Sequence, residues 1–160
     1  MTISKFERNS LLVMQKGKFI FESELSRDPA PHNQSRFNPK TRQVFKGARE
    51  KSYIQELEYR LRAEIIKDKV FEKYGEVPIK VDYIFGFAPT KSWSKKKIQR
   101  ALSHEIYPTE QNKGDWDNLT KSTQDRLNKL IIADDRFIVD GRARKIFTSK
   151  PYIRIEIEEV

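Results

Sequence analysis

Val77-Pro-Ile-Lys-Val-Asp-Tyr-Ile-Phe-Gly-Phe87 sets apolar Ile79, Val81, Tyr83, Phe85 and Phe87 on alternate positions against Lys80, Asp82 and Gly86. Successive side chains of a strand point to opposite faces, so this period of two predicts a half-buried β-strand. Just before it, residues 48–74 carry Ile54, Leu57, Leu61 and Ile65 at helical spacing, with Lys, Arg and Glu on the remaining faces and Gly75 as the expected stop. That aliphatic stripe reads as core packing. A long amphipathic helix feeding a half-buried strand argues for helices and strands around one core.

Working outward, Ser92-Trp-Ser-Lys-Lys-Lys-Ile-Gln-Arg-Ala-Leu102 predicts a short helix with three lysines beside Trp93. Residues 117–130 predict another, with Leu119, Thr123, Leu127 and Leu130 on one side and Asp117, Lys121 and Asp125 near the other. Residues 137–147 and Tyr152-Ile-Arg-Ile-Glu-Ile157 read as a terminal pair of strands. Upstream, Leu11-Leu-Val-Met14 and the apolar residues from Phe19 to Leu25 flank Gln15-Lys-Gly-Lys18, the pattern of a hairpin. Between hairpin and long helix, Pro29, Pro31, Asn33, Asn38 and Pro39 predict a long loop with a short ribbon at Gln43-Val-Phe45. There is no internal repeat. The expected fold class is α/β of the α+β kind: one compact domain over residues 1–160, a mixed β-sheet packed with helices, with residues 1–17 as an N-terminal extension.

A chain of 160 residues can bury an adequate core without disulfides. The absence of cysteine removes disulfide frameworks, thiolate zinc sites and cysteine nucleophiles, and only His32 and His104 supply imidazoles, so any metal must be held mainly by oxygen. No apolar run is long enough to span a bilayer and the N-terminus lacks the apolar core of a signal peptide, so the expectation is a cytoplasmic, intracellular protein with no membrane partner. The formal charge of +9 attracts polyanions, which makes nucleic acid the first partner to consider. Arg36, Lys40 and Arg42 in the long loop, Lys95, Lys96 and Lys97 in the short helix, and Lys113 are the candidate phosphate contacts.

The segment Gly114-Asp-Trp-Asp-Asn-Leu-Thr-Lys-Ser-Thr-Gln-Asp-Arg-Leu127 places Asp115 and Asp117 where a loop becomes a helix. At such a start the two side chains can approach one ion although they do not share a helical face. Lys121 lies one turn above Asp117, and Asp134-Asp135 returns a further carboxylate after the next connection. Hard oxygen ligands in a sparse set suit Mg²⁺ or Mn²⁺ and phosphodiester chemistry. Each part also has an ordinary structural reading: a helix cap, a surface ion pair, a turn. A calcium loop is excluded, because counting from Asp115 the fifth position is Leu119, the sixth is Thr120 in place of Gly, and the twelfth is Arg126 in place of Glu.

Asp115-x-Asp117-Asn118-Leu119-x-Lys121, then Asp125-x-Leu127-Asn128, then Asp134-Asp135, resembles the signature of RusA-type Holliday junction resolvases. Upstream, the basic loop, the long helix, Ile84-Phe-Gly-Phe-Ala-Pro89 and Ser92-Trp-Ser-Lys-Lys-Lys97 are similar to phage-type members of that family. The resemblance implies a RusA-like fold and a small homodimeric, Mg²⁺-dependent endonuclease that nicks four-way DNA junctions symmetrically. It implies Asp115, Asp117 and Asp135 as the acidic, metal-holding site and Lys121 as an essential cation; Asp134 remains the alternative to Asp135. Two departures stand out: Lys113-Gly114 where many relatives have Lys-Pro, and Lys129 where many have Gly. The competing expectations are a non-catalytic nucleic-acid binding protein and a metal-dependent nuclease for another branched DNA or RNA.

Overall fold

The computed structural model describes residues 10–15, 17–33, 36–45, 47–69 and 71–160. In chain order these form β1 (Ser10–Gln15), β2 (Lys18–Glu24), β3 (Arg36–Asn38), β4 (Gln43–Phe45), α1 (Ala48–Lys67), β5 (Ile79–Phe87), α2 (Lys95–Leu102), α3 (Trp116–Leu127), β6 (Ile138–Phe147) and β7 (Tyr152–Glu159). The fold is α+β: a mixed five-stranded sheet in the order β1-β2-β7-β5-β6, with a separate β3-β4 ribbon. The expected hairpin is β1-β2, and the expected ribbon at Gln43–Phe45 has Arg36–Asn38 as its partner strand. Residues 10–15 therefore belong to the sheet and Gly17 to the hairpin turn, while residues 1–9 and Lys16 of the expected N-terminal extension lie outside the described residues.

The core follows from strand parity. Phe21, Ile155 and Tyr83 face each other across β2, β7 and β5, and Phe19, Ile157 and Val81 form the neighbouring row, all buried. Leu57 and Leu61 of α1 and Leu119 and Leu127 of α3 are fully buried in the same cluster. The other face carries ion pairs, among them Lys18 with Glu156 at 2.8 Å and Arg144 with Asp82 at 3.1 Å. Among the described residues no helix is long and apolar enough to cross a membrane.

Three boundaries differ from the sequence expectation. The last two strands are not paired with each other: β5 lies between them, parallel to β6 and antiparallel to β7. The link from β6 to β7 must then pass over the end of β5, where Thr148 N–H donates to Phe87 O at 2.9 Å. Gly86 makes this possible, since a Cβ there would stand 2.4 Å from Thr148 Oγ1 and 2.7 Å from Tyr152 Cβ. Helix α3 ends at Leu127, whose carbonyl takes the N–H groups of Leu130, Ile131 and Ile132 in a tight turn, so Leu130 lies beyond it.

Helix α1 stops at Lys67, short of Gly75, because Asp68 adopts an extended backbone and Tyr74 serves elsewhere. The Tyr74 hydroxyl accepts from Phe19 N–H at 3.0 Å and lies within donating distance of the carbonyls of Gly17 at 2.6 Å and Ile157 at 2.8 Å. Its backbone N–H donates to Ile131 O at 2.9 Å. One residue thus ties the hairpin turn and the last strand through its side chain, and the segment after α3 through its backbone. Tyr74→Phe deprives a buried N–H of its acceptor and two carbonyls of the one hydroxyl proton they share, and is expected to cost about 1–3 kcal/mol, measured by urea unfolding; an unchanged midpoint would refute the latch.

Candidate active site

Helix α3 is set on the sheet by its first residues. Trp116 Nε1–H donates to Ala143 O at 2.7 Å, on β6, the outer strand of the sheet. Lys145 Nζ, also on β6, donates to Gly114 O at 2.8 Å. On the opposite side, residues 28–33 run along the helix: Ser122 Oγ donates to Ala30 O at 2.8 Å and His32 N–H donates to Asn118 O at 2.8 Å. His32 is braced by the buried Glu50, with Nδ1 at 2.8 Å from Oε1. Tyr53 of α1 reaches Thr123 Oγ1 at 2.6 Å.

Asp115 occupies the N-cap position of α3, yet its side chain makes no capping hydrogen bond. Asp117 lies in the first turn. Both carboxylates are exposed and neither has a salt-bridge partner among the described residues. Trp116, between them, leaves its ring 51% exposed. Lys121, one turn on, is exposed and makes no ion pair with Asp117 among the described residues.

The adjacent acids downstream divide their roles. Asp134 caps a 3-10 turn at Asp135–Phe137, accepting from Arg136 N–H at 3.0 Å. Asp135 instead faces α3, where Gln124 Nε2 donates to its Oδ2 at 3.3 Å. Asp117, Lys121 and Gln124 follow one another along one face of the helix, so Asp135 joins the far end of that stripe. Beneath it, the buried Tyr83 hydroxyl finds no hydrogen-bond partner. Burial, with the charges of Tyr53 and Asp135, pushes the Tyr83 phenol far above its usual range.

Among the described residues, no three His, Asp or Glu side chains converge on one point as a ready metal cage. The donor chemistry nevertheless fits a hard ion, because Mg²⁺ takes one or two carboxylates and keeps several waters. A cavity of about 790 Å³ opens elsewhere, beside α1, lined in part by Arg27, Arg49, Tyr53 and Tyr59. The acids sit on open surface.

The basic candidates separate. Trp93 packs edge-on against Phe147 of β6 at 5.4 Å, and Lys97 Nζ lies 3.9 Å from the Trp93 ring centroid. Lys95 and Lys96 are exposed on α2. Lys40 and Arg42 are exposed on the β3-β4 ribbon, and the Arg36 side chain lies outside the described residues. Lys113 is a correction: its ammonium is buried, 3.2 Å from Asp28 Oδ2 and 5.7 Å from the Phe87 ring centroid, so it locks the segment before Asp115 and does not face solvent.

A family model described as endodeoxyribonuclease RusA matches residues 27–158. This chain belongs to the RusA endodeoxyribonuclease family. The chain is also similar to the uncharacterized protein YqaN of Bacillus subtilis (strain 168), 35% identical over 86 residues, which is 54% of this chain and 59% of YqaN. The chain therefore matches less than two thirds of that relative's length.

Sequence reading missed Lys145 and Trp116, whose parts depend on β6 lying under the start of α3. The two departures from the RusA pattern acquire physical content. Gly114 has φ of 83°, which proline does not reach, and a Cβ there would stand 2.6 Å from Pro31 Cγ. Lys129 has φ of 66°, a conformation that favours glycine. Gly114→Ala is expected to destabilise by about 1–3 kcal/mol, read as a drop of several degrees in Tm; wild-type Tm would show that Pro31 yields without cost.

Proposed function

We propose that this RusA-family protein is a Mg²⁺-dependent endodeoxyribonuclease that resolves four-way DNA junctions by paired symmetric nicks, working inside the cell as a two-fold homodimer. The observation that carries the reading is the pair of exposed, unpaired carboxylates at the start of α3 in a chain of charge +9. Asp115 forgoes its capping bond and both acids lie on open surface, so their oxygens are available to a hydrated divalent ion.

Asp115 and Asp117 would hold the ion, with Mn²⁺ as a substitute, and Asp135 would complete the acidic site from the Gln124 side of α3. When bound, such an ion polarises a phosphoryl oxygen and makes its water acidic enough to attack phosphorus. Lys121 offers its free ammonium to the charge that develops on the phosphoryl group or the departing 3′-oxygen. Gln124 orients the Asp135 carboxylate. Asp134, engaged as a cap, stays outside the ligand set.

The DNA path follows β6. Ala143, Lys145 and Phe147 point to the helix face, and they anchor Trp116 of α3, Gly114 and Trp93 of α2 respectively. At about 3.3 Å per residue, the carboxylates and the lysine-rich helix are anchored roughly 13 Å apart on one strand. Lys95, Lys96 and Lys97, with Arg36, Lys40 and Arg42 of the ribbon, supply the phosphate contacts.

Asp117→Asn is expected to abolish Mg²⁺-dependent nicking of a four-way junction while junction binding persists; near-normal nicking would sink the site assignment. Nicking absent from the wild type as well would leave a DNA-binding protein. In the same assay, Lys95, Lys96 and Lys97 changed together to Gln should weaken binding to junctions of any sequence and flatten its salt dependence. Unchanged slope would return α2 to an ordinary solvated helix.

A junction presents two equivalent strands, and one chain offers one acidic site, so a closed two-fold pair matches substrate symmetry. Sedimentation without DNA is expected to report twice the chain mass. A species that stays monomeric on a junction yet cuts both strands in one binding event would defeat the dimer.

A further inference from the structure

We propose that Lys145 is a second cation of the active site, contacting a backbone phosphate of the DNA beside Asp115; this rests on the nuclease reading above. Its position is the first argument. Phe85 pairs with Lys145 on one side and with Ile153 on the other, so the lysine stands next to the two apolar residues at the centre of its row. Ala143 and Phe147 share its face. A hydrophobic residue would satisfy packing there, and burying half of a lysine costs desolvation and side-chain entropy.

Its partners are the second argument. The ammonium donates to Gly114 O at 2.8 Å, the carbonyl immediately before Asp115, and has no carboxylate within ion-pair distance among the described residues. An ammonium has three donors, so two remain after that bond. The carbonyl fixes where the charge sits without neutralising it. Lys113, by contrast, is neutralised by Asp28.

The third argument is placement along β6. Lys145 lies between Ala143, which holds Trp116, and Phe147, which holds Trp93. A strand running from α2 to the carboxylates passes its side chain. Lys121 approaches the same acids from α3, so the two ammoniums would flank a phosphate from different elements.

The test compares Lys145→Gln, which removes the charge and keeps an N–H donor for Gly114 O on a side chain one atom shorter, with Lys145→Arg, which keeps the charge. Lys145→Gln should retain wild-type Tm, lose about 100-fold in kcat for junction nicking, and bind junctions in chelator with a salt slope shallower by about one phosphate contact. Lys145→Arg should recover most of both. Wild-type kcat and slope in Lys145→Gln, with Asp117→Asn inactive alongside, would overturn the inference and leave the nuclease reading standing. A large Tm loss in Lys145→Gln that Lys145→Met shares, with nicking restored on cooling, would make Lys145 a structural tether only. Absence of nicking in the wild type would overturn the nuclease reading and this inference together.

Discussion

The parallel pairing of β5 with β6 is the constraint from which the site follows. Antiparallel neighbours can be joined by a short turn, but parallel ones need a crossover that travels back along the sheet. Here the crossover carries α2, α3 and the Asp135–Phe137 turn. Because the opposite sheet face is laced with ion pairs, this excursion packs on the apolar face. The acids and the lysine-rich helix are thus parts of one crossover, fixed to the strand in which it ends.

That dependence explains what was legible in the sequence. The alternation from Ile79 to Phe87 and the stripe through Leu57 and Leu61 specify their elements, since each period encodes which side faces the core. Period does not encode neighbours. The alternation of Tyr152 to Ile157 is the same whether β6 or β5 lies beside it, and only Gly86 hints that a chain passes overhead. The end of α1 was hidden because Tyr74 satisfies helical spacing as well as it serves a remote hydrogen-bond network. Lys113 was misread for a related reason: its partner, Asp28, is far away in the chain. Lys145 left a usable signal, since Ala143 and Phe147 two residues to either side fix its inward parity.

The motif itself was plain, yet its geometry was not. Asp115 and Asp117 stand at a helix start, as spacing suggested, but Asp115 forgoes capping. The Asp134-Asp135 pair could not be divided by sequence, because adjacent positions exchange roles with one turn of backbone. The 3-10 turn divides them by giving one the cap and turning the other to Gln124. Gly114 takes a backbone torsion that proline cannot adopt, whereas Lys129 keeps the left-handed torsion that glycine favours. The first permits Pro31 to close on the segment before Asp115. The second keeps a left-handed turn with a lysine, a modest strain of about 1 kcal/mol at the end of the helix away from the acids.

Charge is sorted between the two faces of the sheet, and the sorting gives the protein a direction. On the open face Lys18, Lys80, Arg144 and Arg154 are matched by Glu156, Glu158 and Asp82. Their fields cancel at short range, and screening removes the remainder within about 10 Å at ordinary salt. Among the described residues, cations without an ion pair include Lys95, Lys96 and Lys121 on the crossover, Lys40 and Arg42 on the ribbon, and Lys145 on the helix side of β6, with Arg142 on its open side. A polyanion approaching from the sheet side meets a largely neutralised surface, whereas one approaching from the crossover side meets the excess. Within that excess, Asp115 and Asp117 form a small negative island that repels phosphate unless a cation bridges it. On the proposed reading, the same arrangement that would draw DNA to this face would make its final approach to the acids depend on a metal ion.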